Sequence, residues 1–172
     1  EGRRVSSTRD IAAATRLISL GDEKFAQGEF SLALRHYRRA ADAAPDLATA
    51  YFRQGLAYVA SNRADFSAAA FRRGLRLDPQ WPEARFDLAR LCGPAAEKFN
   101  EHTETMRVTA ESRRADSDAY FTLGIIHYLR KQDDAARSYF DAVYHLGGKN
   151  AQFLDGFPAG SRGRAAPVAE GG

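Results

Sequence analysis

At 172 residues, with 44% hydrophobic side chains and 25 basic against 22 acidic residues, the chain is long enough for one ordinary domain and carries a formal charge of only +3. So small a positive excess does not by itself argue for nucleic acid as a partner. A single cysteine, Cys92, excludes an internal disulfide and a cysteine-cluster metal site, and no apolar run approaches the ~20 residues that span a bilayer.

The chain opens Glu1-Gly2-Arg3-Arg4, without a methionine or an apolar signal core. It reads as a processed form or an excerpt, which leaves the compartment open. Residues 1–10 are polar and aperiodic, a lead-in. Helical spacing starts near Ile11 and places Leu17, Leu20, Gly21 and either Lys24 or Phe25 on one face. Gln27-Gly28-Glu29 is the predicted turn, and Phe30 to Ala44 the return helix, stopped by Pro45. A second hairpin runs from Tyr51 to Pro79 with Ser61-Asn62-Arg63 in its turn. The next unit is irregular: a helix from Glu83 to about Leu91, a break at Cys92-Gly93-Pro94, then a longer helix from about Ala95 to Arg114 with the stripe Phe99, His102, Met106 and Ala110. A fourth unit follows, with Tyr120, Leu123, Gly124 and His127 answered by Ala136, Phe140 and Val143. Residues 151–172 read as one apolar turn (Phe153, Leu154, Phe157) and then a Gly-, Ala- and Arg-rich tail that cannot bury enough to order itself.

Sliding the second hairpin back by 34 residues pairs Gly21 with Gly55, Ala33 with Ser67, Tyr37 with Phe71, Ala40 with Gly74 and Pro45 with Pro79. Such a fixed period marks stacked helical repeats, in which each unit buries its apolar face on a neighbour. Glycine, aromatic, small residue and proline at this stride resemble the tetratricopeptide repeat, over four units at about 14–47, 48–81, 82–116 and 117–150 within a domain of residues 11–150. Lys24 stands where a tyrosine is usual, Gly74 where alanine is usual, and units three and four lack the terminal proline. The resemblance implies an all-α fold: a right-handed superhelical array of about four antiparallel hairpins, whose first helices line a concave groove that holds a peptide or partner segment. It further implies a non-catalytic adaptor. Lysines and asparagines that grip a C-terminal carboxylate in part of the family are not matched, since those places hold Ile18 and Asp22, Phe52 and Arg53, Phe86 and Arg90.

The residues between the packing positions suggest how such a groove would work. Phe52, Leu56 and Val59 lie opposite Tyr51, Gly55 and Tyr58, while Phe121, Ile125 and Tyr128 lie opposite Tyr120, Gly124 and His127. A helix apolar on both faces must be covered on both. With Ile18, Phe25 and Phe86 these side chains would form an apolar groove for a partner segment, flanked by Arg53 and Arg90 to steer its acidic residues. Alternatively, curvature or the chain's own Phe153-Leu154-Phe157 covers the patch, or a second copy does so in a homo-oligomer. A second surface is basic: Arg35, Arg38 and Arg39 on one return helix and Arg72, Arg73 and Arg76 on the next would align as a convex ridge suited to an acidic partner, a membrane surface or nucleic acid, unless it is only a solvated face that Asp42 and Asp65 partly compensate.

Catalytic chemistry is not visible. His36, His102, His127 and His145 have no metal-ligand spacing among themselves or with Cys92, and the glycines fall at repeat intervals rather than in a phosphate loop. His127 and Cys92 read as packing residues. No cofactor is expected, and the partner expected is another protein or peptide.

Overall fold

The computed structural model describes residues 5–157 except 85 and 114, so the expectations for residues 1–4, Arg85 and the tail from Pro158 lie outside the described residues. Nine α-helices and no strand occur among the described residues: α1 (Thr8–Ala26), α2 (Phe30–Ala43), α3 (Ala48–Val59), α4 (Ala64–Leu77), α5 (Trp81–Ala84), α6 (Leu88–Cys92), α7 (Ala96–Arg113), α8 (Ser117–Leu129) and α9 (Asp133–Leu146). Two 3-10 segments, Gly93–Ala95 and Gly148–Gly156, complete the set. The first helix starts ahead of Ile11 because Ser7 and Asp10 form a reciprocal cap, each side chain accepting from the other's backbone N–H.

The helices pair as α1 with α2, α3 with α4 and α8 with α9, giving the all-α hairpin architecture that the stride predicts. Each hairpin closes in the same way: a glycine of the first helix admits the aromatic ring of the second. Tyr37 lies over Gly21, Phe71 over Gly55 and Phe140 over Gly124. A Cβ on Gly55 would fall 2.8 Å from the Phe71 ring, closer than packed carbon atoms tolerate. The turns repeat as well. Gly28, Asn62 and Lys131 take positive φ (75°, 52° and 61°). The next residue of each turn returns its N–H to a carbonyl five residues back: Glu29 to Lys24, Arg63 to Tyr58 and Gln132 to His127.

Gly74 has its own reason. The ring of Phe52 lies on it, and an added Cβ would meet Phe52 atoms at 2.5–2.8 Å. At the equivalent places the first hairpin has Ile18 and Ala40, a smaller side chain facing a larger one.

Residues 78–116 depart from the stride. The single helix expected over Glu83 to Leu91 is two short ones, interrupted before Asp87, whose carboxylate accepts from the Arg90 N–H to start α6. Trp81 stacks on Phe52 at 3.9 Å, whereas Leu88, Leu91 and Cys92 belong to α6, which packs toward α1. From there α7 crosses the hairpin turns. Lys98 Nζ donates to the Gly28 carbonyl, Asn62 donates to Thr109, and Arg130 donates to Asn100 and Thr103. Consequently α8 docks directly on α4, and the last hairpin follows the second in space. The 3-10 segment Gly148–Gly156 then lies over α4, α8 and α9.

Candidate functional site

This arrangement corrects the expected groove. Ile18, Phe25, Phe52, Leu56, Val59, Phe121, Ile125 and Tyr128 are all buried, none above 7% exposed. The physical cause is that the chain supplies its own cover. Trp81 closes over Phe52; Phe99 of α7 reaches Phe25 at 5.4 Å and Phe30 at 6.0 Å. Phe153 lies 6.4 Å from Phe121, and Phe157 meets Tyr128 edge-on at 5.2 Å. The Tyr128 hydroxyl donates to the Pro82 carbonyl. Helices α3 and α8 are therefore interior elements, which satisfies the requirement that a helix apolar all round be covered all round. These groove side chains are therefore packed within one chain.

Three of the predicted groove residues do come together at an opening. Arg53, Phe86 and Arg90 line a cleft of about 630 Å³ between α1 and α6, with Asp22, Glu23 and Leu91 among their neighbours. Its floor is built from the repeat geometry. Because Gly21 lets the Tyr37 ring lie against α1, the Tyr37 hydroxyl reaches the next residue and donates to Asp22 Oδ1 at 2.8 Å. Arg53, one helix on, donates from Nε to Asp22 Oδ1 at 2.8 Å and from Nη2 to Oδ2 at 3.2 Å. Its guanidinium carbon also lies 4.1 Å from the centre of the Phe86 ring. Burial, reinforced by the Asp22 carboxylate, pushes the Tyr37 phenol well above its ordinary value, so it stays a proton donor.

The expectation that Arg53 steers acidic residues therefore needs correcting, since Asp22 already meets its charge in a two-pronged pair. What Arg53 and Asp22 provide is a fixed, internally neutral platform beneath the half-buried Phe86. Exposed charge at the rim comes from Glu23, Asp87 and Arg90. The repeat pattern puts Asp22 at a groove place but does not mark Glu23 as a lining residue, because such patterns do not identify every polar neighbour of a packing place.

The basic ridge is also revised. Arg35, Arg38, Arg39, Arg73 and Arg76 are exposed, but Arg72 is 7% exposed and turned inward. It donates to Asn150 Oδ1 at 2.6 Å and to Asp118 Oδ1 at 3.1 Å, tying α4 to α8 and to the C-terminal 3-10 segment.

Cys92 is buried and its thiol is pushed up to about 11 by that burial, with Arg130 opposing the rise. A thiol so held is a poor nucleophile at neutral pH. His127 stacks on Tyr139 at 5.2 Å and shares a 2.6 Å hydrogen bond with Gln132, and burial lowers its proton affinity. Among the described residues no three His, Cys, Asp or Glu side chains gather as a metal site, and no helix is long and apolar enough to cross a membrane.

Residues 18–82 match the tetratricopeptide repeat family. The match covers the first two hairpins, from within α1 to the start of α5, so this part of the chain is similar to tetratricopeptide repeats. Repeats of this family generally mediate protein–protein interaction, and its members are typically non-catalytic scaffolds. No curated protein matches the chain.

Proposed function

We propose that this protein is a non-catalytic adaptor that holds a segment of a partner protein in the cleft between α1 and α6. The observation that carries the reading is the platform itself. The Phe86 ring rests on a guanidinium already fixed by Asp22, so a ligand side chain meets a preformed surface and little entropy is lost on binding. Leu91 and Ala26 add apolar lining, while Glu23, Asp87 and Arg90 offer charge at the rim. A cleft of this mixed character fits a short peptide with one apolar anchor. The family's general role in protein–protein interaction points the same way.

Selection of a displayed peptide library on the wild-type chain tests this. Selected peptides should lose most of their affinity for Phe86→Ala/Arg90→Glu, a variant whose changed side chains are half-buried and exposed and which should melt as the parent does. Peptides that bind both proteins equally would sink the cleft as the docking place.

A further inference from the structure

We infer that the outer faces of α2 and α4 form a second docking surface, for an acidic segment of a protein partner. Arg35, Arg38 and Arg39 lie three and four residues apart, on one side of α2. Arg39 recurs 34 residues on as Arg73, and α3 lies between the two helices that carry them. Arg76 extends the row one turn further along α4. All five side chains are exposed, and none forms an ion pair with a described residue. The acids that could have quenched them are engaged elsewhere or too few. Asp65 is held by Arg63, whose guanidinium keeps that carboxyl below its usual range; Asp118 is held by Arg72; only Asp42 shares the α2 face.

Two of the heads are already oriented. Arg73 lies over the Tyr51 ring at 5.6 Å and Arg76 over the Phe153 ring at 5.4 Å. Stacking of this kind restrains a long side chain before its ligand arrives, and the planar fork left outward matches a carboxylate in two-pronged fashion. The same stacking decides between ligand classes. Single-stranded nucleic acid is gripped by bases laid on free aromatic faces, and here a guanidinium occupies a face of each ring. Carboxylates in a protein segment suit the surface better.

The probe is a fluorescent peptide of alternating glutamate and serine, titrated by anisotropy at about 0.15 M salt against its glutamine counterpart and an oligouridylate of equal length. The glutamate peptide should bind and the glutamine peptide should not. Arg39→Glu/Arg73→Glu should weaken binding by about tenfold or more, and Phe86→Ala should leave it unchanged, which separates this surface from the cleft. Arg35→Gln/Arg38→Gln provides a milder second variant with the same direction of effect. Equal binding of both peptides, no binding of the glutamate peptide, or tighter binding of the oligouridylate would overturn the inference.

Discussion

Residues 8–77 and residues 78–116 follow different rules within one chain. In the first region each small residue meets a ring one helix away, and whatever holds for Gly21 and Tyr37 holds again for Gly55 and Phe71. In the second, the residue in phase with Gly55 is Ala89, and it is exposed; Met106, 34 residues ahead of Phe140, is buried on α7, which packs against α3 and α8. The difference teaches that periodic spacing does not make a hairpin by itself. Two helices close only where a side chain is missing opposite a ring, and a segment without that notch is free to settle elsewhere. Here it settles on the open side of its neighbours, and the place where a partner would otherwise lie becomes part of the core.

The sharpest way to break the regular region is to fill one of its notches. Gly74→Ala should destabilise the chain by about 1–3 kcal/mol, because the Phe52 ring is pinned between Gly74 and Trp81 and cannot step aside. Urea unfolding measures this. The first hairpin supplies an internal control: Phe52→Ile with Gly74→Ala installs its pair, Ile18 and Ala40, and should cost less than the two single changes added together. Simple additivity would mean that ring and glycine are not coupled.

A smaller change should act in the opposite direction. Lys131 holds a left-handed conformation that Gly28 adopts without strain at the matching turn. Lys131→Gly should therefore stabilise the last hairpin by about 1 kcal/mol, visible as a rise in melting temperature of a few degrees. An unchanged or lower melting temperature would show that the turns are not equivalent.

Much of this fold could be read from the sequence, since its hairpins rest on local signals: a glycine, a ring half a hairpin away, a turn residue, a proline. The demand that α3 and α8 be covered on two sides was equally legible in Phe52, Leu56, Phe121 and Ile125. What covers them was legible only in part: the chain's own Phe153-Leu154-Phe157 is one of the expected covers, and it does meet Phe121 and Tyr128. Trp81 carries no periodic mark and Phe99 only that of its own helix, and their partners are chosen by how the chain returns in space. The inward turn of Arg72 depends on Asn150, 78 residues away, and no helical pattern reports a pairing at that distance. The cleft was half visible: Arg53, Phe86 and Arg90 stood out as groove-face residues, while the bond to Asp22 that neutralises Arg53 depended on knowing how Gly21 seats Tyr37.

The account rests on the inner faces of α3 and α8 being interior, and placing a charge there tests it most directly. Phe52→Glu with Phe121→Glu buries two unpaired carboxylates at positions that are 0% exposed, at a cost of several kcal/mol, against a typical total stability of about 5–15 kcal/mol. Circular dichroism on heating should show lost helicity or the disappearance of a cooperative transition. A variant that keeps the parental melting curve and loses only its partners would contradict this structure and restore the open apolar groove.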